Sequence, residues 1–211
     1  MKRQLFSAVL LACLLAGGAA ARNPKVIRLS DRPLSAWKSV MKEGDAAGEF
    51  SRDKKIIRLS GKFGYIRTPE EFSDYRLTVE WRWVGEPTNS GIFVHLTEDK
   101  IWPACYECQL MAGRAGDLIN SGGTTSNERK ANTAPKSHVI SRTGPANERP
   151  AGEWNRAEIL CEGDNMLVYI NGELQNKLTG LSSTRGAVGL QSEGGGIEFR
   201  NVELRPLQYK E

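Results

Sequence analysis

Leu77-Thr-Val-Glu-Trp-Arg-Trp83 decides the fold: Leu77, Val79, Trp81 and Trp83 fall on one side of an extended chain, and Thr78, Glu80 and Arg82 on the other. Alternation with period two belongs to a strand with one covered face. The pattern recurs outward from this stretch, at 56–60, 65–68, 91–96 and 106–111, and again at 154–161, 166–170, 173–177, 187–191 and 197–204. Clusters of Gly, Pro, Asn and Asp separate the runs, and Asn171-Gly172 is a strong short hairpin signal. A single helical turn is expected at 70–74. About ten short strands without strand–helix alternation predict an all-β, two-sheet antiparallel sandwich.

The 211 residues include 39% apolar and 26% charged side chains, which suits one ordinary globular domain. The N-terminus reads differently from the rest. Met1-Lys-Arg3 is followed by Leu5-Phe-Ser-Ala-Val-Leu-Leu-Ala-Cys-Leu-Leu-Ala16 and a small-residue zone ending at Ala21. This is the pattern of a secretory signal peptide over 1–21, leaving a domain over 22–211. The apolar run is shorter than the roughly 20 residues needed to span a bilayer. Leu10-Leu-Ala-Cys13 offers a lipoprotein alternative, with the chain anchored through Cys13. Either way the expected location is periplasmic or secreted, and no other stretch reads as a membrane span.

The formal net charge is +4, and loss of Lys2 and Arg3 with the leader leaves +2. A surplus that small, without a dense basic tract, argues against a nucleic-acid partner. Export permits disulfides among Cys105, Cys108 and Cys161. Cys105 and Cys108, however, point to opposite faces of one strand, so three small buried core residues are the favoured reading.

Alternation along 106–111 sets Glu107 and Gln109 together, opposite Tyr106, Cys108 and Leu110. Glu80, Arg82, His95 and Gln191 are further polar residues on strand faces. Gathered on one sheet, they would line a groove for sugar hydroxyls with a carboxylate and an imidazole for proton transfer. A solvated outer face is the plain alternative. Trp102 is placed to stack on a sugar ring or to sit at a rim. A two-carboxylate glycosidase would draw its pair from Glu80, Glu107 and Glu193. The segment 113–152 is polar and aperiodic, so it reads as a long loop over one end of the sheet, or as a disordered insert. It carries His138. No serine-nucleophile elbow, zinc helix or nucleotide-binding glycine loop is present.

Several stretches taken in order resemble the 3-keto-disaccharide hydrolase domain family of bacterial exported proteins. They are Phe72-Ser-Asp-Tyr-Arg-Leu77 leading to Glu80-Trp-Arg82, Asn89-Ser-Gly-Ile-Phe93, Tyr106-Glu-Cys-Gln-Leu110, Gly152-Glu-Trp-Asn155, Asn171-Gly172, and Gly189-Leu-Gln191 with Phe199-Arg-Asn201. The resemblance runs from about 37 to 207. It implies a concanavalin A-like jelly roll with a groove on one sheet. It also implies a substrate that a partner oxidoreductase has first oxidised at C3, so that the C2 proton becomes acidic. Removal of that proton, departure of the aglycone from C1 and addition of water then amount to hydrolysis.

On that reading Glu107 is the base, Arg82 or His95 holds the enolate oxygen, and His138 is the acid. Gln109, Gln191, Glu80, Asn89 and Trp102 bind substrate. A divalent cation held by Glu107 and His95 could replace the donors. Many relatives carry arginine where His95 stands, and a histidine near Ser192 and Glu193. The alternatives are a non-catalytic carbohydrate-binding module and a conventional glycosidase on the same fold.

Overall fold

Residues 25–136 and 138–208 are described in a computed structural model. The expected leader, 1–21, and Cys13 within it lie outside the described residues. In chain order the elements are β1 (Ile27–Arg28), β2 (Lys38–Met41), β3 (Phe50–Asp53), β4 (Ile56–Leu59), β5 (Gly64–Arg67), β6 (Tyr75–Val84), β7 (Gly91–Leu96) and β8 (Cys105–Gln109). They continue with β9 (Leu118–Ser121), α1 (Asn127–Ala131), β10 (Val139–Ile140), β11 (Asn155–Glu162), β12 (Asn165–Ile170), β13 (Glu173–Leu178), β14 (Ala187–Ser192) and β15 (Gly196–Pro206).

The strands form two antiparallel sheets. One runs β13-β12-β11-β6-β15-β4-β3, with β1 also on β15, and the other runs β10-β9-β8-β7-β14-β5-β2. The fold is therefore the expected all-β jelly-roll sandwich, with neither sheet closed on itself. Leu77, Val79 and Trp81 of β6 face Ile92 and Val94 of β7 and Tyr106 and Cys108 of β8 in the core between the sheets. Each such side chain contributes about 1.5–3 kcal/mol on burial, so register is strongly specified. Asn171 and Gly172 turn β12 into β13 with φ of 49° and 88°, the left-handed pair that a two-residue hairpin needs.

Two local expectations are corrected. Residues 70–74 form no helix; Phe72 instead makes a bridge to Gly186. The segment 113–152 is not a structureless loop, because β9 pairs with β8, and β10 pairs with β9 to extend the same sheet. Glu128 holds α1 in place by accepting hydrogen bonds from the Thr179 N–H and hydroxyl, each at 2.9 Å. Cys105, Cys108 and Cys161 are all buried and unpaired. As the alternation required, Cys105 and Cys108 lie on opposite faces of β8.

Candidate functional site

The outward face of the seven-stranded sheet divides into an apolar half and a polar half. Tyr65, Phe93, Leu96, Cys105 and Ala187 form a small second cluster there. The loop after β7 covers that cluster: the Tyr65 hydroxyl donates to the Lys100 carbonyl at 2.9 Å, and Arg67 pairs with Asp99. Beyond the loop the face opens into a cleft of about 400 Å³ whose polar wall is formed by Asn89, Glu107, Gln109, Gln191 and Glu193. That size lies within the usual range of small-molecule sites.

Glu107 is the unusual group. It is 6% exposed, and its Oε1 has no hydrogen-bond partner. Burial, reinforced by the charge of Glu193, pushes its pKa up to about 8. The side chain lies over Gly91 on the adjacent strand, where a Cβ would collide with the carboxyl group. Glycine leaves room there for that carboxyl group.

The amides beside it are oriented by their own hydrogen bonds. Gln109 Oε1 accepts from the Leu110 and Met111 N–H groups at 3.0 Å each, so its Nε2 is the donor left for a ligand. Gln191 Nε2 donates to Glu193 Oε2 at 3.1 Å, leaving its buried Oε1 as an unpartnered acceptor. Asn89 Oδ1 is also buried and unpartnered, and Asn89 bridges Glu193 through the backbone. Trp102 is 61% exposed at the cleft margin, its ring 5.0 Å from that of Phe63. His138 also lines the cleft.

Three residues expected at the site lie elsewhere. His95 is fully buried in the core, edge-on to Tyr75 and Tyr106, with its ring nitrogens 3.1 and 3.4 Å from the carbonyls of Ser183 and Ser73. The cause is a bulge: Phe93 pairs with Gly189 but Leu96 pairs with Ala187, so β7 carries one extra residue, and His95 takes a φ of 51°. An added residue inverts the alternation beyond it, which turns His95 inward and Leu96 outward. Burial lowers the His95 pKa and favours the neutral ring. Glu107 and His95 therefore face opposite sides of their sheet and cannot ligate one cation. Among the described residues no group of three or more His, Cys, Asp or Glu side chains is arranged to hold a metal ion.

Glu80 and Arg82 point outward from the eight-stranded sheet, on the far side of the molecule. The β6 alternation that buries Trp81 sends both to the other face. Glu80 pairs with Arg200 at 2.7 Å, and Arg82 pairs with Glu198 at 2.7 Å beneath the ring of Trp154. Burial raises the Glu80 pKa, but the hydrogen bonds from Arg200 and Asn201 and the charges of Arg200 and Arg156 together hold it low. Both are ion pairs on that sheet's outer face, with the Glu198 side chain covered by its arginine partners.

The cleft also includes groups that the sequence did not signal. Ile119 and Ser121 of β9 line it, as does Arg129, whose Nη1 donates to the carbonyls of Asn120 at 3.0 Å and Thr124 at 2.7 Å. They come from the aperiodic segment, where a four-residue strand is too short to leave a pattern.

Among solved structures the chain is similar to a Parabacteroides distasonis protein provisionally named a glycosyl hydrolase, at 21% identity and a TM-score of 0.64, covering 87% of this chain and 100% of that one. It is similar to a Bacillus licheniformis β-glucanase at 10% identity and a TM-score of 0.59, covering 89% and 100%. A carbohydrate-binding module of Bacillus subtilis aligns at 11% identity and a TM-score of 0.57, covering 81% and 95%. At these identities the likeness concerns the fold. No curated protein sequence matches the chain. The family model for the 3-keto-alpha-glucoside-1,2-lyase-like domain does match, over residues 26–205, and the chain belongs to that family.

Proposed function

We propose that this protein cleaves 3-keto-glycosides by elimination and hydration, with Glu107 as the base. The observation that carries the reading is the buried Glu107 carboxyl, unpartnered at Oε1 and with a pKa of about 8, at the floor of a cleft walled by amides. A base works best when its pKa lies near the working pH, and an unpaired buried carboxyl is otherwise costly to keep. Family membership and the glycosyl-hydrolase-like neighbours support a carbohydrate ligand.

In the proposed sequence Glu107 takes the proton from C2, and the electron pair of that bond enters the C3 carbonyl as an enolate. The enolate then re-forms the ketone while the C1–O bond breaks, leaving a C1–C2 double bond and releasing the aglycone oxygen, which takes up a proton. Water adds its hydroxyl to C1 and a proton to C2. The net change is glycoside plus water to 3-keto sugar plus alcohol.

Gln109 Nε2 and the Arg129 guanidinium are the donors suited to the enolate oxygen, in place of His95 and Arg82. Gln191 Oε1 and Asn89 accept from sugar hydroxyls, Trp102 stacks at the margin, and His138 supplies the proton to the leaving group. The reading requires a partner oxidoreductase to make the ketone, and it takes the 1–21 leader as an export signal to a periplasmic or secreted location.

Incubation of the protein with a chromogenic glucoside, and separately with its 3-keto derivative, tests this. Aglycone release from the keto compound alone, lost at least about a hundredfold in Glu107→Gln, is expected. Release from the unoxidised glucoside would favour a second reading, a glycosidase using Glu107 and Glu193, which their electrostatic coupling allows. Binding without release from either would favour a carbohydrate-binding module.

A further inference from the structure

A second and larger cavity, about 720 Å³, adjoins the cleft and shares Gln109, Ile119 and His138 with it. It is built from the segment that reads as a loop in sequence. Met111, Ile119, Ala131, Ala134, Val139 and Ile140 supply a largely apolar wall. Charged groups at its edge are Arg114, Asp117, Glu128 and Lys136. Arg114 pairs with Asp117 at 2.6 Å, and Glu128 accepts from Thr179.

We propose that this cavity is an aglycone subsite and that it takes an apolar, aromatic leaving group in preference to a second sugar. The inference rests on the elimination reading of the cleft. Three observations commit it to that occupant. The cavity is continuous with the cleft through Gln109, His138 and Ile119, the cross-strand partner of Glu107, so a group leaving C1 has room to extend into it. Its volume far exceeds what water or a short alcohol fills, and lies within the range of small-molecule sites. Carboxylates and amides stand among its lining residues, but most of its open surface is the methyl, methylene and thioether surface of Met111, Ile119, Ala131, Ala134, Val139 and Ile140, which suits an aromatic ring better than a hydroxylated one.

The chemistry agrees with the wall. His138 is the titratable side chain shared by the two cavities. An elimination with a single imidazole near the leaving oxygen runs best when that oxygen departs as a weak base. A phenol, with a pKa of about 10 like that of tyrosine, does so far more readily than a sugar hydroxyl.

The test compares kcat/KM for the methyl, glucosyl, phenyl and 2-naphthyl 3-keto-glucosides in the wild-type protein and in Ala131→Trp and Ala134→Trp. Both alanines line the cavity and are exposed, so a tryptophan at either narrows it without displacing core side chains. The expected result is a naphthyl-to-phenyl preference of tenfold or more in the wild type, with that ratio falling at least tenfold in either variant, as hydrophobic pockets discriminate by about 10–200-fold. Taking the ratio between protein forms cancels the intrinsic acidity of the leaving group. 2-Naphthol should inhibit the wild type competitively and lose that inhibition in the variants. Cleavage of all four compounds with no naphthyl preference, a preference for the glucosyl compound, or a ratio that the tryptophans leave unmoved would overturn the subsite while leaving the elimination reading intact. Failure to cleave any 3-keto-glucoside would overturn both.

Discussion

Glu107→Gln should stabilise this protein, and increasingly so as pH rises. In the folded chain burial lifts the carboxyl pKa from an ordinary 4.5 to about 8. The folded state therefore holds a proton that the unfolded state has already released between those values, and stability falls with pH across that window. Below pH 4.5 both states are protonated and Glu107 makes no pH-dependent contribution. Above 8 the native state carries a buried, unpartnered charge. At about 1.4 kcal/mol for each tenfold change in proton affinity, the full loss is roughly 5 kcal/mol. Between pH 5 and 8.5 it is roughly 4 kcal/mol, a large share of the 5–15 kcal/mol typical of a domain. Glutamine fills nearly the same volume without titrating. Urea unfolding of the two proteins at pH 5 and 8.5 should show the stability difference shifting by several kcal/mol in favour of the variant, while its turnover is lost. A difference that stays constant with pH would refute the reasoning, because Glu107 would then ionise normally and could not be the tuned base.

Other consequences concern activity and placement. Values of kcat/KM for a 3-keto-glycoside should rise about tenfold per pH unit below 8 and level off above, and Glu193→Gln should move that midpoint downward by removing the charge that helps raise it; a profile flat from pH 6 to 9 contradicts this. Gly91→Ala needs no unusual backbone angle but drives a methyl into the Glu107 carboxyl. A shift of about 1 Å in the base should lower kcat about a hundredfold with the circular dichroism spectrum retained. His95→Ala should cost about 2–4 kcal/mol in urea unfolding, through lost core packing and ring hydrogen bonds, with kcat/KM of the folded protein changed less than about threefold. Arg82→Ala, on the far face, should leave kcat/KM unchanged and cost about 1–3 kcal/mol in urea unfolding, because the buried Glu198 loses one of its two arginines and keeps Arg58.

The long alternating strands were legible because a face must be buried whatever else happens. Leu77 to Trp83 read directly, as did the Asn171-Gly172 turn, whose left-handed φ values few other residue pairs accept. Strands of two to four residues, β1, β2, β3, β9 and β10, left no recognisable period. They exist because neighbouring strands offer them hydrogen-bonding edges, which is a tertiary fact.

Local chemistry along the chain determined which residues of a single strand share a face, and so it placed Glu107 beside Gln109 and opposite Tyr106 and Cys108. It could not determine which strands lie in the same sheet, and that is why Glu80 and Arg82, polar on a well-read strand, proved to be on the wrong side of the molecule. Nor could it register one extra residue in β7, enough to turn His95 from groove to core. Alternation is a property of consecutive residues, whereas pairing, register shifts and the desolvation that tunes Glu107 depend on residues brought together from distant parts of the chain.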